Sequence, residues 1–245
     1  MDIKLLKKIN VEVITSDVPA KLAGEYIHQV ITAHDGDVVC LLSGGSALDI
    51  VPYITQADKH ECRTIFMMGD ERGSRDPEIN NSLQLIHRHP DSTVAKNLIL
   101  TVPNEGEKLK NFTSRISETS STEISKLKNI KIIQVLGVGL DGHTAGIFPL
   151  PKDQFAQIYN QPELDIVPVY LEGLKIDSRA SFTPSWILTK ADELIVYAVG
   201  IAKKPILESL VSESMEIHER PAELLKQHPR TKLYTDQALE PHKPL

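Results

Sequence analysis

A histidine on a glycine-rich segment is the residue of this chain best suited to acid–base chemistry. His143 follows Asp141 within Gly-Val-Gly-Leu-Asp-Gly-His-Thr-Ala-Gly, which spans residues 137–146 directly after an apolar run. Imidazole titrates near neutral pH, so a histidine can take a proton from water and make it nucleophilic. A lone histidine is more often structural, but its setting on a loop after a predicted strand favours a hydrolytic role.

Two further polar segments follow apolar runs in the same way. Ser-Gly-Gly-Ser at 43–46 could bring its backbone close to a phosphate, because glycine lacks a Cβ and N–H groups at a helix start attract anions. Gly-Asp-Glu-Arg at 69–72 places three charges at a strand end. The first segment could also be a simple tight turn, and the second a solvated loop with a local ion pair.

The glycine-rich segment also contains Gly-x-Gly-x-x-Gly, the pattern of dinucleotide-binding folds. Asp141 would then lie beside a pyrophosphate of like charge, which is costly. Pro149 and Pro151 would cut short the helix that should receive that phosphate. The pattern lies in mid-chain rather than in the first strand–helix unit, so a dehydrogenase is the weaker hypothesis.

Strands and helices alternate along the chain. Residues 10–15 alternate like a strand, and an amphipathic helix with apolar residues from 22 to 31 follows Ser16 and Asp17, both good N-caps. Further strands are predicted at 38–42, 64–68, 97–102, 130–136, 166–170, 194–199 and 232–235. Further helices are predicted at 81–88, 106–117, 202–211 and 221–227.

This alternation predicts an α/β fold: a doubly wound, mainly parallel sheet with helices on both faces, in one domain over residues 1–245. Residues 38–42 are apolar in succession, as in a strand covered on both sides. Ligands of such sheets bind beyond the carboxyl ends of the strands. The three polar segments are therefore expected to share one site.

Composition narrows the class of partner. The 27 Lys and Arg residues against 33 Asp and Glu residues give a formal charge of -6, which does not favour nucleic acid. Residues 1–8 carry lysines but are not followed by the apolar core of a signal peptide, and the apolar run at 194–202 is too short to cross a bilayer. We expect a cytoplasmic protein with no membrane partner, as a monomer or a small homo-oligomer.

Taken in order, the polar segments resemble the motifs of 6-phosphogluconolactonases over nearly the whole chain. The most specific part is Asp-Gly-His-Thr-Ala at 141–145. The matching segments are Leu-Ser-Gly-Gly-Ser at 42–46, Gly-Asp-Glu-Arg at 69–72, the run at 136–145 with Phe-Pro at 148–149, and Gly-Ile-Ala-Lys at 200–203.

The resemblance implies a site for a phosphorylated sugar lactone, the substrate of an ester hydrolase of the oxidative pentose phosphate pathway. His143 would be the general base, and Arg72 would stabilise the oxyanion or orient the substrate. Asp70 and Asp141 would position His143, the water or sugar hydroxyls. No metal and no organic cofactor are implied.

The resemblance also implies how the phosphate is held. The residues that it assigns to substrate and phosphate are Ser43, Gly44, Gly45, Ser46, Arg179, Lys203 and Asn81. A guanidinium and an ammonium group supply the charge-assisted hydrogen bonds that a phosphate needs. The stretch after Arg72 is one residue shorter than the family pattern, which leaves the choice of sugar open.

Two alternatives remain. Glucosamine-6-phosphate deaminases share the glycine turns and the Asp-Gly-His core, but their motif has a glutamate where this chain has Phe148 and a tyrosine where it has Arg72. A phenyl ring cannot do the work of that carboxylate. A catalytically silent sugar-phosphate sensor is the second alternative, although a sensor would need only the phosphate contacts and not His143 with Arg72.

Overall fold

A computed structural model describes residues 2–5, 10–55, 62–173 and 176–239, the first of these as backbone only. The interpretation of residues 1–8 falls largely outside the described residues. The prediction of a single domain over 1–245 likewise includes residues outside them.

Ten strands and eight α-helices are present in the described residues, with three short 3-10 helices between them. The strands are β1 (Asp2–Leu5), β2 (Val11–Thr15), β3 (Val38–Leu42), β4 (Thr64–Met68), β5 (Asp70–Arg72), β6 (Lys131–Leu136), β7 (Ile166–Tyr170), β8 (Ser178–Phe182), β9 (Glu193–Tyr197) and β10 (Thr231–Thr235). The α-helices are α1 (Pro19–Ala33), α2 (Asn81–Arg88), α3 (Thr93–Lys96), α4 (Leu109–Ser125), α5 (Lys152–Tyr159), α6 (Pro184–Lys190), α7 (Lys204–Ser212) and α8 (Leu224–Gln227). The 3-10 helices are Gly45–Tyr53, Ile201–Lys203 and Pro221–Glu223.

The main sheet has seven strands in the order β1-β2-β10-β9-β6-β3-β4. All neighbours pair in parallel except β1, which is antiparallel to β2. The predicted mainly parallel α/β sheet is confirmed. The carboxyl ends of β3, β4 and β6 lie side by side, so the chain segments that follow them meet at one edge.

The core lies on both faces of this sheet. Alternate residues of the fully buried strand β3 enter different apolar clusters: Val39 and Leu41 pack on one face with α4, and Cys40 packs on the other with α1. Because every side chain of β3 meets apolar neighbours, the strand reads as an uninterrupted apolar run.

A second, three-stranded sheet in the order β5-β8-β7 is antiparallel. Its strand β5 begins two residues after β4 ends, with Gly69 between them. In the β5–β8 ladder Arg72 pairs with Arg179 and Asp70 with Ser181. This small sheet therefore brings two arginines that are far apart in sequence to the edge where β4 ends.

Several sequence-based boundaries were wrong. Residues 97–102 form no strand, since only a single bridge joins Leu98 to Phe66 of β4 before the chain turns away. The predicted strand at 166–170 exists but belongs to the small sheet rather than the main one. The helix predicted at 202–211 begins as a 3-10 turn, and α7 starts at Lys204.

Within the described part of the chain, no helix combines the length and the apolar character that crossing a membrane requires.

Candidate active site

The three predicted polar segments meet in one cavity of about 520 Å³ at the carboxyl edge of the sheet. Every residue proposed from the sequence lines it, although their roles stay predictions. These residues are His143, Asp141, Arg72, Asp70, Asn81, Arg179, Lys203, Ser43, Gly44, Gly45 and Ser46. Sequence reasoning missed other lining residues, among them Tyr197, whose place at the last position of β9 was the available signal.

The loop after β6 is folded tightly around His143. The Gly139 N–H donates to the His143 carbonyl at 2.7 Å, and the Gly142 N–H donates to the Gly139 carbonyl at 3.1 Å. A Cβ on Gly139 would lie 2.1 Å from His143 Nδ1, so no larger residue fits there. The glycines of this segment thus let the loop close on the imidazole, rather than on a dinucleotide.

His143 and Asp141 form a directly hydrogen-bonded pair. Asp141 Oδ1 lies 2.6 Å from His143 Nδ1 and also accepts the His143 backbone N–H at 3.1 Å. Burial alone would raise the pKa of Asp141, but the hydrogen bond and charge of His143 outweigh it and lower that pKa to about 2. An ionised carboxylate only accepts hydrogen bonds, so Nδ1 carries the proton and Nε2 is the basic nitrogen.

The ring of Phe148 contacts both an imidazole and a guanidinium. It stacks on His143 with ring centroids 4.7 Å apart and planes 30° apart. Arg179 Cζ lies 5.1 Å from the Phe148 centroid, within range of a cation–π interaction. Phe148 therefore contacts both the proposed base and the proposed phosphate-binding arginine.

A buried hydroxyl fixes the backbone that carries this ring. Tyr159 Oη donates to the Gly146 carbonyl at 2.9 Å and accepts the Phe148 N–H at 3.1 Å. Between Thr144 and Phe148 the chain makes a tight turn in which Ala145 has a φ of 50°. No local sequence pattern predicts this support, because Tyr159 lies outside the turn, at the end of helix α5.

Two arginines and one carboxylate face the cavity from the small sheet. Arg72 and Arg179 are cross-strand partners, an arrangement that is unfavourable for like charges. Asp70 is buried beside them, and its negative charge offsets part of their positive charge. Its Oδ2 accepts a hydrogen bond from Arg179 Nη1 at 3.3 Å. Burial lowers the pKa of Arg72, and Arg179 adds to that effect while Asp70 opposes it.

The Nε atoms of both arginines are buried and have no hydrogen-bond partner among the described residues. One carboxylate therefore faces two guanidiniums with free donors. This excess of positive charge at the cavity suits an anionic ligand.

Lys203 adds a third cation from the segment after β9. Its Nζ donates to the carbonyl of Val138, which belongs to the loop at residues 137–146 that carries His143. This contact places the ammonium group at the cavity wall. Burial lowers the pKa of Lys203, and Asp141 opposes that shift. The 3-10 helix that carries Lys203 follows Gly200, whose φ of 94° favours glycine.

The turn at residues 43–46, called the paired-glycine turn below, also lines the cavity. A Cβ on Gly44 would lie 1.9 Å from Asn81 Oδ1, so glycine is needed for α2 to approach the turn. Asn81 Nδ2 donates to the Asp70 carbonyl at 2.9 Å. After Gly44 the chain forms the 3-10 helix Gly45–Tyr53, whose first N–H groups have no acceptor inside the helix, an arrangement that suits an anion.

No three of the His, Cys, Asp and Glu side chains within the described ranges are grouped so that they could hold a metal ion.

Known proteins resemble this chain over most of its length. Residues 15–234 match the family described as glucosamine-6-phosphate isomerases/6-phosphogluconolactonase. A 6-phosphogluconolactonase of Borreliella burgdorferi is 26% identical over 186 residues, which cover 71% of this chain and 72% of that protein.

Solved structures share the fold at low sequence identity. A 6-phosphogluconolactonase from Plasmodium vivax superposes with a TM-score of 0.72 at 17% identity, covering 94% of this chain and 93% of that one. One from Shewanella baltica gives 0.70 at 18% identity, covering 95% and 98%. A monomeric glucosamine-6-phosphate deaminase gives 0.67 at 14% identity, covering 92% and 96%. With a family match over most of its length, this chain belongs to the family of glucosamine-6-phosphate isomerases and 6-phosphogluconolactonases.

Proposed function

We propose that this chain hydrolyses 6-phosphogluconolactone to 6-phosphogluconate, a reaction of the oxidative pentose phosphate pathway, with water activated by His143. One observation carries the proposal: the imidazole–carboxylate pair of His143 and Asp141 shares a cavity with Arg72, Arg179 and Lys203. A base for water and a set of cations for a phosphate are the two things that such a substrate requires.

The reaction proceeds through addition of water to the lactone carbonyl. His143 Nε2 takes a proton from water as the water oxygen bonds to the carbonyl carbon, and the carbonyl oxygen becomes an oxyanion. Collapse of this intermediate breaks the bond to the ring oxygen, which takes the proton back from Nε2 and leaves as a hydroxyl group. The new carboxylic acid then ionises.

Asp141 and Arg72 assist at this reacting end. Asp141, ionised at neutral pH, accepts a hydrogen bond from His143 Nδ1–H, with Oδ1 2.6 Å from Nδ1, and stabilises the imidazolium that forms during proton transfer. Arg72 stabilises the oxyanion or orients the carbonyl. Asp70 keeps the arginine pair in place.

The phosphate end is bound by Arg179, Lys203 and the N–H groups of the paired-glycine turn, with Asn81 beside them. Binding at this remote group aligns the carbonyl with His143 and lowers the barrier through positioning.

A glucosamine-6-phosphate deaminase is the competing function, since one such enzyme shares the fold. Phe148 argues against it. The phenyl ring packs flat on His143, so this site has an apolar contact where a deaminase would need a carboxylate to assist ring opening.

The test is to supply freshly prepared 6-phosphogluconolactone and, separately, glucosamine 6-phosphate to the purified protein. Acid release is followed for the lactone, with spontaneous hydrolysis subtracted, and ammonia release for the amino sugar. We expect acceleration of lactone hydrolysis alone. Ammonia release would overturn the choice of reaction, and binding of 6-phosphogluconate without turnover of either compound would identify a silent sensor.

A further inference from the structure

Glu71 is a buried carboxylate that the mechanism above does not use. It is the central residue of β5, whose side chains alternate between two sides. Its neighbours Asp70 and Arg72 line the cavity, whereas Glu71 lies behind the cavity wall with 2% of its surface exposed.

Five donors converge on this carboxylate. Oε1 accepts the backbone N–H groups of Arg72 and Asn81, each at 2.7 Å. Oε2 accepts the Ser82 N–H at 2.9 Å and the Ser82 hydroxyl at 2.7 Å. The Thr101 hydroxyl donates to Oε2 at 3.2 Å.

These contacts join the two ends of one loop. Residues 73–80 form the loop between Arg72, where β5 ends, and Asn81, where α2 begins. Glu71 accepts the N–H groups of both flanking residues, so one carboxylate holds both ends of the loop. They also complete the start of α2. Glu71 accepts its first two N–H groups, and Asn80 Oδ1 accepts the third, that of Leu83, at 2.9 Å.

The ionised form of Glu71 suits this place better than an amide would. Burial raises the pKa of Glu71 to about 7, and the hydrogen bonds from Ser82, Arg72 and Asn81 oppose that shift. Only a carboxylate can accept on both oxygens, and the positive end of the α2 dipole favours its charge. A glutamine would turn an NH2 group toward at least one N–H donor.

The segments that Glu71 fixes are the ones that build the cavity wall. Arg72 Nη1 donates to the Ile79 carbonyl at 3.0 Å, so the guanidinium depends on the course of the loop. Asn81 places its amide against Gly44 and donates to the Asp70 carbonyl. A shift of the loop ends would move both side chains.

We propose that Glu71 is a positioning residue for the hydrolysis: by holding both ends of the 73–80 loop, it sets the placement of Arg72 and Asn81. The inference rests on the proposed function, because the placement matters only if Arg72 and Asn81 face a substrate.

The test compares Glu71→Gln with Glu107→Gln. Glu107 is a matched control because it also accepts a backbone N–H, from Asn104 at 2.8 Å, and pairs with Arg115 outside the cavity. Well below the melting temperature, we expect Glu71→Gln to lower kcat/KM about tenfold to a hundredfold, mainly through kcat. Its amide hydrogens over 72–82 should exchange faster, while Glu107→Gln stays within about twofold of the wild type.

Ser82→Ala decides the question if Glu71→Gln does not fold. It removes one of the five donors and leaves the backbone contacts intact. We expect a smaller loss of kcat and faster exchange in the same segment.

Two results would overturn the proposal. The first is faster exchange with unchanged kcat/KM, which would make Glu71 a purely structural cap. The second is unchanged exchange over 72–82 with lost turnover. If the wild type does not hydrolyse the lactone, the proposed function fails by itself. In that case the positioning role is tested without turnover. It fails as well if wild type and Glu71→Gln show the same amide hydrogen exchange over residues 72–82, or if they bind inorganic phosphate with the same affinity.

Discussion

Phe148 connects the two ends of the proposed reaction at the level of single residues. Its ring contacts the imidazole that would activate water and the guanidinium that would bind phosphate. An aromatic face restricts the tilt of a stacked ring and attracts a cation. The side chain thus couples base and phosphate ligand without touching the reacting atoms itself.

Replacing Phe148 by Leu should therefore reduce activity beyond its effect on stability. The variant keeps apolar volume but loses the flat face, and we expect kcat/KM to fall about tenfold through misplacement of His143 and Arg179. Steady-state kinetics on the lactone measure the loss. Phe112→Leu is the matched control, because Phe112 is buried under Arg115 at 5.5 Å but lies in α4. Equal losses of activity in the two variants would contradict this role.

Asp70, Arg72, Asp141 and His143 could be singled out from the sequence because each follows a predicted strand in a polar segment. Arg179, Lys203 and Asn81 were assigned only through the family resemblance, since Arg179 lies within β8 and Asn81 begins α2. The contacts that support these residues could not be predicted. Tyr159 holds the turn before Phe148 from another helix, and Arg72 faces Arg179 across a ladder between residues 107 positions apart. Such pairings depend on tertiary contacts that no local pattern encodes.

At the scale of elements, the cavity depends on how closely α2 approaches the paired-glycine turn. The turn can lie against Asn81 only because residue 44 has no side chain. The distance between the 3-10 helix and α2 in turn sets the width of the proposed phosphate end.

We expect Gly44→Ala to separate these elements and weaken phosphosugar binding. The added Cβ would lie 1.9 Å from Asn81 Oδ1, so Asn81 or the turn must shift. Isothermal titration with 6-phosphogluconate should show affinity lowered by about tenfold or more. Gly106→Ala is the control for the loss of a glycine alone. Gly106 has a φ of 69°, so alanine strains the backbone there, but an added Cβ would meet no atom within 4 Å. Unchanged affinity in Gly44→Ala would refute the close approach.

Long apolar strands were predictable, but short polar ones were not. The runs that became β3, β4 and β6 are mostly buried on both faces and are therefore mainly apolar, with Gln134 as a buried polar exception in β6. The strand β5 has the sequence Asp-Glu-Arg and forms because β8 pairs with it, so periodicity gives no sign of it. The mainly apolar residues 97–102 were mistaken for a strand, since apolar character alone does not provide a neighbouring strand to pair with.

On the scale of the whole molecule, the two ends of the parallel strands differ: the carboxyl ends form the carboxyl edge of the sheet and the amino ends form its amino edge. The carboxyl edge carries the cavity, and the amino edge is closed by Asp37, whose carboxylate accepts the Arg63 N–H at 2.6 Å and the Lys128 N–H at 2.7 Å. These residues lead into β4 and β6, so one side chain ties the neighbouring strands β3, β4 and β6 together. The Arg63 N–H, helped by that of Lys128, lowers the pKa of Asp37 against the effect of burial.

Asp37→Asn should destabilise the fold in a pH-dependent way and leave the active site intact. Because the folded-state pKa of Asp37 is depressed, its contribution is present above the unfolded value of 3.8 and is lost as pH falls through the folded value. We expect a loss of about 1–3 kcal/mol in unfolding free energy at neutral pH. Denaturation at a series of pH values measures it.

The difference between wild type and Asp37→Asn should shrink as the pH falls below 3.8 and through the lower folded-state pKa, because the wild-type carboxylate is then protonated. Turnover at neutral pH, well below the melting temperature, should stay unchanged. A difference that is constant with pH would show that the Asp37 charge does not contribute.

The central claim is that His143 activates water beside a separate phosphate site, and His143→Asn tests it most directly. Asparagine keeps a polar side chain of similar reach but cannot act as a base at neutral pH, so we expect lactone turnover to fall by at least about a hundredfold. Calorimetric binding of 6-phosphogluconate should stay within a few-fold of the wild type. Turnover that persists at a rate near that of the wild type would contradict the account.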